Sequence, residues 1–195
     1  RQAYAYDDVP LNARLVSADT TDVWIRERIE LDAGYGGERL TTFVYLPRGF
    51  EAPHQTVVYF PGSNVIYRRS YEELSIDHLE FLLRGGRAVV FPVYKGTFER
   101  GTDLRSDIQD ESNHWRDHVI AWTKDFRRSI DYLETRDDID TNRLAYLGVS
   151  WGGAVAPMMV ALEERLRAVV IVVGGLLMQD TQPMADPFHF LPRVT

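Results

Sequence analysis

Apolar and polar positions change rhythm several times along the chain, and each rhythm predicts an element. Residues 24–32 alternate, with Ile25, Ile29 and Leu31 on one side and Arg26, Arg28 and Glu30 on the other, which predicts a half-buried strand. A glycine-rich turn follows at 33–37, and alternation resumes over 40–46, closing an antiparallel hairpin before Pro47. The run Thr-Val-Val-Tyr-Phe at 56–60 is apolar throughout, the pattern of a strand covered on both faces. Residues 71–84 place Leu74, His78, Phe81 and Leu82 at helical spacing, with Ser70 as N-cap and Gly85-Gly86 as a stop. A second buried strand is expected at 88–91, then a loop without periodicity at 92–111. Val119, Trp122, Phe126, Ile130 and Leu133 form one long stripe, so 115–134 reads as an amphipathic helix. Residues 143–149 form a strand, 151–164 a helix and 166–173 a further strand ended by Gly174-Gly175.

Strands alternating with helices after an opening hairpin predict an α/β fold, a mostly parallel sheet with helices on both faces. Residues 1–22 are polar and turn-rich and read as a lead-in segment; 23–195 read as one domain. The stretch 176–195 is rich in proline and polar residues and reads as a loop toward a strand the chain does not contain, so the domain is expected to be incomplete at its C-terminus.

Composition narrows the chemistry. The chain has 195 residues, 45% of them hydrophobic, enough for one domain with a substantial core. Lysine and arginine sum to 22 and aspartate and glutamate to 29, a net charge of −7, which argues against a nucleic-acid surface. The pairs Arg68-Arg69 and Arg127-Arg128 are isolated and read as solvated faces. There is no cysteine, which excludes disulfides, thiolate metal sites and a cysteine nucleophile. No apolar run reaches transmembrane length and no signal peptide opens the chain, so no membrane partner and a cytoplasmic location are expected. The chain starts at Arg1, and we expect it to be part of something longer.

One motif carries chemistry. Gly148-Val149-Ser150-Trp151-Gly152 is a Gly-x-Ser-x-Gly sequence placed where a predicted strand meets a predicted helix. A serine on so sharp a turn stands its hydroxyl clear of the sheet, and its neighbours must be small because strand and helix approach closely. Ser150 is the candidate nucleophile. Acyl transfer also needs donors aimed at the oxygen that becomes negative. The backbone N–H of Trp151 is one candidate. Ser63, in the Pro61-Gly62-Ser63-Asn64 loop after the 56–60 strand, is the other, with Asn64 next in line.

On these residues the chain resembles the α/β-hydrolase superfamily, in its dienelactone hydrolase and prolyl oligopeptidase branch. Segments 57–64, 88–101, 125–153 and 169–176 carry the resemblance, which covers most of 20–195. The runs Phe91-Pro92-Val93-Tyr94-Lys95-Gly96-Thr97 and Asp131-Tyr132-Leu133-Glu134-Thr135-Arg136 are similar to bacterial hydrolase-like domains found C-terminal to serine/threonine protein kinases. The resemblance implies acyl hydrolysis of an ester or peptide through Ser150, without cofactor, and a kinase domain or a further C-terminal segment as partner. Many relatives have His-Gly where Pro61-Gly62 stands here.

The rest of a triad is not in place. In this fold the acid and then the histidine follow the serine, each after a later strand. Of five histidines, His54, His78, His114 and His118 precede Ser150. His78 reads as a packed or rim group, His114 and His118 as surface or capping groups. Only His189 follows, with Asp180 or Asp186 as possible partner. Asp186 and His189 lie one turn apart in a proline-rich loop, which holds catalytic geometry poorly, so this trio is rejected. The acid and base are expected beyond residue 195. No metal-ligand spacing, phosphate-binding loop or kinase signature occurs. The competing expectation is a non-catalytic module that binds a ligand or regulates an attached kinase. Trp115, Trp122 and Trp151 are candidates for a pocket wall or for the core.

Overall fold

The computed structural model describes residues 2–6, 9–101 and 104–194. Seven strands among these residues form one sheet: β1 (Arg14–Thr20), β2 (Trp24–Asp32), β3 (Arg39–Pro47), β4 (His54–Phe60), β5 (Ala88–Pro92), β6 (Ile139–Val149) and β7 (Leu166–Val172). Their spatial order is β1-β2-β3-β5-β4-β6-β7. The first three and β5 pair antiparallel, whereas β5, β4, β6 and β7 run parallel. The antiparallel hairpin and the parallel half are those the sequence predicts.

Among the described residues four α-helices accompany the sheet: α1 (Glu80–Arg84), α2 (Asn113–Leu133), α3 (Trp151–Ala161) and α4 (Pro187–Phe190). The central strands of the sheet are covered on both faces, and neighbouring residues of β4 show how. Tyr59 meets Phe91 and His78 on the α1 side. Phe60 packs edge-on against Trp122 of α2 and Trp151 of α3. Trp122 and Trp151 themselves meet edge to face at 4.7 Å, and Trp115 packs on Trp122. All three tryptophans are buried, so they belong to the core and do not wall a pocket.

Several expectations need correction. Arg128, read as part of a solvated face, is buried and donates to the carbonyls of Asp32, Val9 and Pro10. The lead-in segment contains β1, a strand along the edge of β2. All seven of its residues are exposed, so no apolar alternation marks it, and its side chains instead reach β2 through Arg14–Glu30 and Asp19–Arg26 ion pairs. The 71–84 helix is instead two 3-10 turns, Tyr71–Glu73 and Asp77–Leu79, followed by the five-residue α1. Ser70 does cap, but it caps the first turn, accepting from the Glu72 N–H, and the Ser75 hydroxyl accepts from Asp77 N–H to break the run. Finally, 176–195 is not all loop, because α4 and a 3-10 turn at Leu191–Arg193 lie within it. By contrast α2 forms where its stripe predicts, with Ser112 Oγ accepting from Trp115 N–H at 3.1 Å. Among the described residues, no helix is long and apolar enough to cross a membrane.

The topology fixes where a site can form. The chain leaves β4 through α1 to β5 on one side, then passes through α2 to β6 on the other. The strand order therefore reverses at β4, and a crevice opens at the carboxyl ends of β4 and β6. In register, Phe60 lies opposite Gly148, so the loop after β4 and the turn after β6 leave the sheet side by side.

Candidate active site

Ser150 sits between β6 and α3 at φ +51° and ψ −107°. A non-glycine residue at positive φ carries conformational strain and persists only where its surroundings hold it. Here the Ser150 N–H donates to the Val172 carbonyl at 2.9 Å, and the Gly152 N–H donates to Pro61 O at 3.1 Å. The first bond ties the turn to the end of β7, and the second ties it to the loop after β4.

The flanking glycines are required by close approach. A methyl group on Gly148 would stand 2.5 Å from the Gly152 carbonyl oxygen, and one on Gly153 would stand 2.6 Å from Gly174 Cα. On Gly152 it would run into the Phe60 carbonyl. The Tyr146 hydroxyl, buried beneath the turn, donates to Gly152 O at 2.6 Å. Strand, helix and preceding loop thus meet at backbone distance around one serine.

The loop of Pro61 to Asn64 leads into a 3-10 turn, Ser63–Tyr67. Gly62 lies against the nucleophile, since a Cβ on it would be 3.7 Å from Ser150 Cβ. Gly62, Ser63, Asn64 and Ser150 line one pocket of about 440 Å3, together with Tyr59 and His78. Of the residues singled out from the sequence, the structure therefore brings Ser150, Ser63 and Asn64 together. Trp151 is the first residue of α3, with its side chain turned into the core and its backbone at the pocket end of the helix. Among the described residues no backbone acceptor takes the N–H of Ser63, Asn64 or Trp151. A helix start leaves such donors free for an incoming anion.

The histidines separate into groups. His54 is buried at the opposite, amino end of β4. His114 is exposed on α2, whereas His118 is buried with its Nδ1 2.9 Å from the His114 carbonyl, so the surface reading fails for His118. It fails because α2 turns that position toward Gly96 and Trp122. His189 pairs with Asp186, Nδ1 to Oδ2 at 2.9 Å, in an exposed cleft with Tyr4 and Arg193, not in the pocket of Ser150. Asp180 is exposed in the preceding segment. His78 is the histidine whose place the sequence alone does not show. It lines the Ser150 pocket, and its Nε2 is 3.1 Å from the Tyr59 hydroxyl. The signal for it lies in topology, because the segment after β4 must return past the pocket before entering β5. Burial holds the His78 imidazole below the ordinary histidine range, against the opposing pull of Asp77 and the Ser75 backbone. No histidine among the described residues hydrogen-bonds the Ser150 hydroxyl, and no group of three or more histidine or carboxylate side chains is arranged to hold a metal ion.

A second polar centre is structural. Asp125 of α2 is fully buried and accepts from the Tyr35 hydroxyl, the Lys95 N–H and Arg100, the last at 2.6 Å. Burial pushes its carboxyl upward, and the Arg100 guanidinium pulls it down. The network ties the hairpin turn and the loop after β5 to α2.

Comparison with known proteins agrees with this architecture. Among solved structures, the chain resembles a methylesterase, BT1017, at 21% identity and a TM-score of 0.69, over 92% of this chain and 38% of that one. Acetyl xylan esterase 1 from Thermoanaerobacterium sp. JW/SL YS485 matches at 19% identity and a TM-score of 0.65, over 86% of this chain and 54% of the other. A glucuronoyl esterase from Solibacter usitatus matches at 17% identity and a TM-score of 0.56, over 84% and 53%. The chain thus spans about half the length of these proteins or less, and at such identities the likeness is one of fold. No curated protein matches the sequence. The sequence profile of the prolyl oligopeptidase family matches residues 73–188, more than half of the chain and inclusive of the Ser150 turn. With the parallel sheet, the strained serine between β6 and α3 and the crevice at the reversal of strand order, this match places the chain in the prolyl oligopeptidase family of the α/β-hydrolase fold.

Proposed function

We propose that the chain carries the nucleophile and oxyanion hole of a serine hydrolase acting on carboxylic esters. Ser150 attacks the acyl carbon, and the N–H groups of Ser63 and Trp151 receive the oxygen that becomes negative. The observation that carries this reading is the backbone of Ser150. A residue at φ +51°, flanked by glycines in backbone contact and open to a pocket lined by N–H donors, has its strain explained by nucleophile presentation. A non-catalytic module attached to a kinase would leave that strain without a use. The esterases that share the fold make ester cleavage the favoured reaction over peptide cleavage. The general base and its acid partner are assigned to sequence outside residues 1–195, since Ser150 has no histidine partner among the described residues.

The test compares the full-length protein with its Ser150→Ala form, using a chromogenic acetate ester and a fluorophosphonate probe. Turnover and labelling are expected in the first and not in the second, with a loss of about 1000-fold or more in kcat. Equal turnover by both would remove Ser150 from the mechanism. Strong Ser150-dependent turnover by residues 1–195 alone would show that the base lies within them.

A further inference from the structure

The molecule carries a net charge of −7 and 26% of its residues are charged, yet the wall of the Ser150 pocket is free of formal charge among the described residues. Its polar groups are neutral: the Ser63 and Ser150 hydroxyls, the Asn64 amide, the Tyr59 phenol and the His78 imidazole. Tyr59 and His78 hydrogen-bond each other, hydroxyl to Nε2 at 3.1 Å, and Pro61, Val65, Leu74 and Val149 add hydrocarbon to the lining. Tyr59 is anchored from below by its edge contact with Phe91, 5.2 Å between ring centres. Asp77 next to His78 is exposed and is not part of the lining.

Resting on the hydrolase reading above, we propose that this wall selects esters whose acyl group is uncharged, with the Tyr59–His78 pair as its specificity-determining element. An acyl group bearing a carboxylate or ammonium would shed water there and meet no counter-charge, a cost that falls on binding. Tyr59 and His78 are held against each other, and neither brings a counter-charge to the acyl group. A short neutral acyl group meets no such penalty, and it gains contact with Leu74 and the Tyr59 ring.

The experiment measures kcat/KM of the full-length protein for two esters of matched length, 4-nitrophenyl butyrate and 4-nitrophenyl hemisuccinate, with the buffer rate subtracted. The neutral ester is expected to be favoured by about tenfold or more, mainly through KM. His78→Lys places an ammonium on the wall and should shift the ratio toward hemisuccinate by about tenfold. Leu74→Lys makes the same change from the neighbouring position and serves if the first variant does not fold. A purely structural role for His78 would lower both rates together and leave their ratio alone. Equal kcat/KM for the two esters, or a ratio that neither lysine moves, overturns charge selection while leaving Ser150-dependent turnover intact. Absence of turnover and of fluorophosphonate labelling with every ester overturns the hydrolase reading and this one with it.

Discussion

Around Ser150 single atoms decide the outcome. Gly152 lies under the Phe60 carbonyl, a backbone group with no freedom to step aside. Gly152→Ala should therefore cost about 1–3 kcal/mol, read from the urea midpoint at unchanged slope. A methyl group on Gly175 would meet nothing within 4 Å, so Gly175→Ala should fall within about 0.5 kcal/mol of the parent. Equal effects at the two sites would contradict the close approach. This steric demand is what makes the serine legible in the sequence: glycine at three positions around one hydroxyl is a backbone requirement written in residue types. The rest of the pocket lining leaves no such mark. His78 stands in a segment whose apolar spacing mimics a helix, and only the folded path shows that it reaches the pocket.

At the scale of elements, legibility follows burial. The α2 stripe is readable because Val119, Trp122, Phe126, Ile130 and Leu133 are all fully buried on one face. The 71–84 stretch misleads because its apolar residues do not share a face; Phe81 is 66% exposed while Leu79 and Leu83 are buried. β1 escapes because an exposed edge strand has no core side to alternate against. The loop after β5 lacks periodicity for another reason, since its order comes from the Asp125 network. Removing that carboxylate leaves the Arg100 cation buried with its Val93, Tyr35 and Glu38 contacts alone. Asp125→Ala should lose about 3–5 kcal/mol of stability, a larger loss than truncating the exposed Arg84–Glu80 pair on α1, which should cost at most about 0.5 kcal/mol. Denaturant titration of both variants checks the ranking, and a small effect at Asp125 would show that the network is dispensable.

For the molecule as a whole, the two edges of the sheet differ in kind. β1 is an edge laced with charge, Arg14 to Glu30 and Asp19 to Arg26, which discourages pairing with another strand. β7 pairs only with β6 among the described residues, and its run Val169, Val170, Ile171 and Val172 is 40–50% exposed, with Val173 beyond it at 87%. Five consecutive apolar, β-branched residues without a charge form a strand edge that readily recruits another strand. The polypeptide of residues 1–195 should therefore self-associate as concentration rises, and sedimentation velocity over roughly a hundredfold range of concentration should show the sedimentation coefficient increasing. Val170→Lys adds a charge in the middle of the edge, 50% exposed in the parent, and should return the chain toward monomer without loss of fold, judged by circular dichroism. The same lysine should leave the Ser150 turn in place, because that turn meets β7 through the backbone carbonyl of Val172 and the side chain of Ile171, not through Val170. A chain that stays monomeric at every concentration, or a Val170→Lys form that associates as strongly as its parent, would move the interface away from β7.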